Sequence, residues 1–210
     1  MIGTFDTIKK KVHGSLKTEG LVRKFLHLSD VLYEKDSYTF RHCSRVALYC
    51  SLMGNSMGLS EEKMESLITG AFFHDLGKIA VPKEILQKPG ALSGREWDII
   101  RIHPVASAKL LEAAGCPDEA VSAMLHHHES YDGTGYPQGL KGDEIPLLSR
   151  IVSVADAYDS MTTTRCYSGI FRNDKAIKEL HACKWSQFDP EIVDVFTDIV
   201  RLPYIEFEAI

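Results

Sequence analysis

A helical hydrophobic rhythm, interrupted at comparable points by histidine or aspartate, is what most constrains the fold of this chain. In "SEEKMESLITGAFFHD", Met64, Leu67, Ile68, Ala71 and Phe72 recur at the three-and-four spacing of one buried helix face, and His74 and Asp75 follow at once. Adjacent helical residues point about 100° apart, so these two can address one point only from a helix end or flank. The same kind of residue recurs at core-facing edges elsewhere: His42 in "TFRHCSRV", His103 in "IRIHPVAS", the run His126, His127, His128, and Asp156 in "VSVADAYDS". A single buried histidine is ordinarily a hydrogen-bonded core residue. Several polar side chains with apolar flanks each need a partner, and a shared cation satisfies them jointly. Nitrogen and oxygen donors from several helices, without sulfur, form the inventory of a metal site inside a helical bundle.

The remaining segments support an all-α scaffold. Ser60 is placed to cap the helix that carries Met64, with Glu61 and Glu62 in its first turn. "SGREWDIIRIHPVASAKLLEAAG" opens on a Ser93-x-x-Glu96 capping box and stops at Gly115, and Pro104 inside it predicts a kink or restart. "DEAVSAMLHHH", "PLLSRIVSVADAYDSMTT", "NDKAIKELHAC" and "DPEIVDVFTDIV" read as further helices, the last with Asp189 at its cap and Pro190 at its first position. "RIVSV" has strand propensity, but its alternation is too short to make a strand. Residues 1–36, lysine-rich and then amphipathic through Leu21, Phe25, Leu28 and Leu32, read as an extra helical segment packed on the bundle.

Composition narrows the function. A formal charge of -5 argues against a broad nucleic-acid face, while leaving room for a small anion held by local cations. Cys43, Cys50, Cys116, Cys166 and Cys183 are odd in number and never form Cys-x-x-Cys, a pattern of reduced thiols. No apolar run approaches a membrane span and the N-terminus lacks a secretory core, so the expectation is a cytoplasmic soluble protein. "HHHESYDGTGYPQGLKGDEIP" joins the histidine run to a loop in which Gly133 and Gly135 let backbone approach a ligand and Pro137 fixes a turn.

In order, "HDLGK" at 74–78, "HP" at 103, "HHES-Y-DGTGYPQGLKGDEIP" and "VADAYDSMTTTR" resemble the motifs of the HD-GYP phosphohydrolases, a branch of the HD superfamily that degrades cyclic dinucleotides. The resemblance covers about residues 37–200. It implies an HD-domain helical bundle over 37–201, with 1–36 as an N-terminal extension and 202–210 as a tail. It also implies that the paired ligands of the histidine run are His127 and His128, leaving His126 behind them or at the surface. Seven ligands follow: His42, His74, Asp75, His103, His127, His128 and Asp156. They are too many for one ion and suit two, iron or manganese by resemblance. Asp75 would bridge, with His103, His127 and His128 on one ion and His42, His74 and Asp156 on the other.

The implied reaction is hydrolysis of a 3′–5′ phosphodiester by a water acidified between two cations. Lys78, four residues beyond His74 and one turn along the same face, is expected to reach a phosphate or leaving oxygen. Gly135, Tyr136 and Arg165 are expected to bind substrate, Tyr136 by stacking or hydrogen bonding and Arg165 as a fork to phosphate. Two departures stand out. The glutamate that the family often carries four residues before the first histidine is Tyr38, which favours two metals and a linear dinucleotide product. The family's "RPYK" reads "RCYS" at 165–168, so Ser168 replaces a cation. The alternative is a signalling module that binds metal and nucleotide, or a partner such as a cyclase domain, without turnover.

Overall fold

The computed structural model describes residues 19–163 and 173–201. Among the described residues every regular element is a helix, and a single isolated bridge pairs Lys184 with Phe188. The first helix, α1, is Glu19–Lys35. Asp36 then separates it from α2, Ser37–Ser56, by accepting from the backbone N–H groups of Tyr38 and Thr39. Ser60 caps α3, Glu61–Phe73, as its position foretold. A 3₁₀ turn over Leu76–Ala80 and the short α4, Lys83–Leu86, lead to α5, Gly94–Ile100, whose Ser93/Glu96 capping box is complete.

Pro104 produces a restart rather than a kink. The helix breaks at Arg101 and Ile102 and begins again as α6, His103–Ala114, with the proline in the first turn where its missing N–H costs nothing. Gly115 ends it with φ +83°, a left-handed position natural to glycine. The next helix, α7, spans Asp118–Leu125 and stops before the histidine run, which the pattern of "DEAVSAMLHHH" places inside the helix. After the Gly-rich loop come α8, Leu147–Thr162, α9, Asn173–Ala182, and α10, Pro190–Val200. "RIVSV" lies inside α8.

The core forms where α2, α3, α7 and α8 pack on one another. Val46, Cys50, Met53, Leu67, Phe72, Phe73, Met124, Ile151 and Val152 are all essentially inaccessible there. Close approach of α3 to α7 depends on Gly70, where a Cβ would press on Ala123 Cβ and Ala120 O. Between α2, α8 and α10 the rings of Tyr49, Tyr158 and Phe196 meet edge-to-face, with centroids 4.9–5.7 Å apart. One end of this apolar interior is polar, and every ligand candidate lies at it.

Candidate metal centre

Five helices deliver the seven side chains. His42 comes from the middle of α2, His74 from the C-cap of α3 and Asp75 from the residue after it. His103 opens α6, His127 and His128 follow the end of α7, and Asp156 stands on α8. Asp75 is central. Its Oδ1 lies 3.2 Å from His103 Nε2, while its Oδ2 lies 3.5 Å from His74 Nε2 and 3.7 Å from His42 Nε2. His42 Nε2 is 3.0 Å from Asp156 Oδ1, and His103 Nε2 is 3.4 Å from His127 Nε2. Donor atoms fall within 4.8 Å of one another in three sets: His103, His127 and His128; His42, His74 and Asp75; and His74, His127 and Asp156.

The outer ring nitrogens determine what the inner ones offer. Nδ1 of His74, His103 and His127 donates to the carbonyl three residues earlier, on Ala71, Ile100 and Met124, at 2.7, 2.7 and 2.5 Å. A carbonyl only accepts, so each of these rings carries its proton on Nδ1 and, when neutral, turns a lone pair on Nε2 inward. His42 does the same through a carboxylate, its Nδ1 lying 2.7 Å from Asp159 Oδ2. Arg45 holds that carboxylate from the other side, Nε to Oδ1 at 2.7 Å and Nη2 to Oδ2 at 2.9 Å. Inside the ring of candidate ligands, His42 Nε2, His74 Nε2 and Asp75 Oδ1 are buried without a hydrogen bond. Orphaned lone pairs facing one another from a shared pocket are the arrangement that divalent cations satisfy, and the donor set fits them.

The electrostatics agree. Burial pushes His103 down to about 3 and His128 to about 4, and it lowers His74 and, further, His127, so these four rings are neutral at pH 7 and free to ligate. Burial opposes ionisation of Asp75, but Lys78 and the surrounding imidazoles outweigh it and hold the carboxyl well below its usual range. Asp156 is likewise held down against burial, chiefly by His42. His42 runs the other way: burial lowers it, yet Asp156 and Asp159 together outweigh burial and raise it to about 9. The proton kept there sits between carboxylates where positive charge is favoured, and a cation on Nε2 would take its place.

Lys78 reaches the centre differently from the helical expectation. The α-helix ends at Phe73, and Lys78 projects from the 3₁₀ turn, placing Nζ 2.5 Å from Asp75 Oδ2 rather than one turn above His74. That turn is sewn to α6 by Ser107, whose Oγ accepts from Gly77 N–H at 2.7 Å and donates to His74 O at 2.8 Å. A Cβ on Gly77 would collide with His103 O and Ser107 N.

The Gly-rich loop closes around Glu129. Its buried carboxylate accepts from the backbone N–H groups of Gln138, Gly139 and Leu140 at 2.7, 3.0 and 3.1 Å. Gly135 passes so close to Glu129 Cα and Ser130 N that no side chain fits. Tyr136 stacks on His128, centroids 4.9 Å apart at 27°, with Arg101 Cζ 5.4 Å from its ring centroid. The Tyr136 ring is thus engaged with one of the candidate ligand imidazoles. His126 is buried rather than superficial, with Nδ1 3.0 Å from Ser122 O, and it joins none of the three donor sets. The Tyr38 hydroxyl is buried without a hydrogen-bond partner. Arg165, Cys166 and Ser168 lie outside the described residues.

Family comparison rests on this framework. The profile of the HD domain matches residues 27–192. The chain belongs to the HD domain family. The domain is 38% identical over 169 residues to the cyclic di-GMP phosphodiesterase response regulator RpfG of Xanthomonas campestris, covering 80% of this chain and 45% of that protein. It is 32% identical over 197 residues to a 3′3′-cGAMP-specific phosphodiesterase of Vibrio cholerae, covering 93% of this chain and 37% of the relative. This HD domain therefore spans less than half the length of these two relatives. Among solved structures, an HDG"Y"P protein of Bdellovibrio bacteriovorus, Bd1817, superposes with a TM-score of 0.67 at 22% identity, over 93% of this chain and 61% of that one.

Four residues that position the centre escaped the sequence reading: Arg45, Ser107, Glu129 and Asp159. Two carried a signal. Arg45 follows His42 by three and Asp159 follows Asp156 by three, so each lies on the ligand face of its helix. Glu129 stands in the family motif as a landmark for its register without a role of its own, and Ser107 has no mark at all.

Proposed function

We propose that this HD domain is a metal-dependent phosphodiesterase that opens cyclic di-GMP, or a related cyclic dinucleotide, to the linear dinucleotide with two divalent ions, iron or manganese. The observation that carries this reading is Asp75, which turns one oxygen toward His103 and the other toward His42 and His74 at the middle of the seven-ligand cluster. The names of the relatives supply the substrate class. Bound cations would supply Lewis-acid polarisation of phosphoryl oxygens and a more acidic water.

The chain's own residues do the rest. His74, His103 and His127 hold their protons on Nδ1, away from the reaction. Lys78 carries a proton on Nζ at the edge of the centre, suited to a phosphate or to the leaving sugar oxygen. Glu129 fixes the loop that presents the Tyr136 hydroxyl at the same mouth. Arg165 is assigned to phosphate on the family resemblance alone. Imidazole and carboxylate donors without thiolate suit iron or manganese. Tyr38, standing where the family often has glutamate, is a poor ligand for a third ion, which favours a single cut. The thiols of Cys43, Cys50 and Cys183, which form no disulfide among the described residues, fit a cytoplasmic setting.

Metal analysis of protein purified without air, paired with assay of cyclic di-GMP, tests the proposal. Expected are about two ions per chain, conversion to the linear dinucleotide with manganese or reduced iron, and loss of turnover with retained nucleotide binding in Asp75→Ala. Failure to take up any ion on reconstitution refutes it.

A further inference from the structure

Beside the metal centre, on the other side of Lys78, lies a groove of about 280 Å³. Its walls come from four places: the end of α1 with Leu32 and Lys35, the start of α2 at Thr39, the 3₁₀ turn from Lys78 to Ala80, and α4 with Lys83 and Leu86. The floor is apolar, formed by Leu32, Ile79, Val81 and Leu86, and three lysines line it. Lys35 donates to Ile79 O at 2.5 Å, which ties the end of α1 to the 3₁₀ turn. Asp36 is the one carboxylate among the lining residues, and both its oxygens already accept bonds within the cap of α2. In a chain of net charge -5 this is a local excess of positive charge around an apolar slot.

Such a slot suits a flat base with a phosphate attached. Whole ligands usually occupy about 300–1,000 Å³, so this volume matches one nucleotide rather than an entire dinucleotide. Lys78 belongs to both sites: its ammonium touches Asp75, and the residue is among those lining the groove. A ligand with one phosphate at the metal ligands and more chain beyond would pass Lys78 and enter this space.

We propose that the groove between α1 and α4 seats the nucleotide that is not being cut, with Lys83 and Lys35 facing its phosphate. The inference rests on the phosphodiesterase reading and adds a specificity site outside the metal centre. Only substrates with a second nucleotide would gain from it.

Two variants test it, Lys83→Glu, which reverses a rim charge, and Ala80→Trp, which fills the slot; neither alters a ligand residue. Each is compared with the wild type for cyclic di-GMP affinity and for turnover of bis(p-nitrophenyl) phosphate, which has no second nucleotide. The proposal expects cyclic di-GMP to bind at least about tenfold more weakly in both variants, with hydrolysis of the small diester unchanged. It is overturned if cyclic di-GMP affinity is unchanged, if both substrates suffer equally, or if the wild type hydrolyses the small diester without binding cyclic di-GMP. A wild type that cleaves neither substrate while loaded with metal instead defeats the phosphodiesterase reading, and the groove falls with it.

Discussion

At the scale of single residues, the centre is defined as much by what holds the imidazoles as by the imidazoles themselves. Asp159 fixes the tautomer of His42 and is itself held by Arg45 in a fork. Asp159→Asn keeps the size of the side chain but removes the charge that matches both neighbours. Second-layer partners of this type alter metal affinity by about 10–100-fold, so chelator competition should show one ion leaving far more readily while the helical circular dichroism stays unchanged. Proton linkage gives a second prediction. His74, His103, His127 and His128 titrate below 6.5 when folded, so the unfolded chain binds more protons below that value. The stability that they contribute is complete above pH 6.5 and is lost as pH falls toward 3–4. His42, raised to about 9, contributes stability that is complete below 6.5 and lost as pH rises through 9. Metal-free protein should therefore show a maximum of Tm near pH 6–7, and saturating metal should flatten the alkaline limb by displacing the His42 proton.

At the scale of elements, starts and stops were legible wherever one side chain decides them. Asp189, Ser60 and the Ser93/Glu96 pair cap as read, and Gly115 ends its helix in the left-handed region. What the sequence left open depends on contacts between elements. The change from α-helix to 3₁₀ turn after Phe73 follows from Ser107 taking the Gly77 N–H, a bond across 30 positions that no local pattern announces. The end of α7 before His127 has a similar cause, since the loop must turn there for Glu129 to gather three backbone amides. The ligand types were readable because imidazoles and carboxylates with apolar flanks are unusual; which of His126 to His128 ligates needed the family resemblance. The seam between the 3₁₀ turn and α6 is where an element-level test belongs. Gly77→Ala forces the turn away from His103 O, and overpacking of this kind costs about 1–3 kcal/mol. Thermal unfolding should show that loss. Because Asp75 and His103 sit on opposite sides of the seam, metal content should drop together with Tm, whereas a core variant remote from the seam should lower Tm alone.

At the scale of the whole molecule, the bundle faces a conflict that a bound cation resolves. One end of the interior collects seven polar side chains, while the rest is the apolar packing of Phe72, Phe73, Met53, Met124 and Ile151. That packing does not pass through the ligands, so the helices have a core of their own and the metal-free chain should remain folded, unlike small domains that unfold with their metal. The polar end is nevertheless held in place against mutual desolvation, with the Lys78 ammonium and the proton on His42 standing where stronger positive charge belongs. Ions that bind only the folded state add stability by mass action, about 2.7 kcal/mol at one hundred times the dissociation constant. For a chain of this length each kcal/mol moves Tm by about 2–4 °C. Chelation followed by titration with manganese should therefore raise Tm by about 5–10 °C at that saturation, with far-ultraviolet circular dichroism constant at low temperature. Replacing Asp75 by alanine should reduce the metal-induced rise sharply, because the residue that faces both donor sets is gone, while leaving the apolar core intact. A rise of equal size in that variant would mean that the stabilising ions bind somewhere other than between these helices.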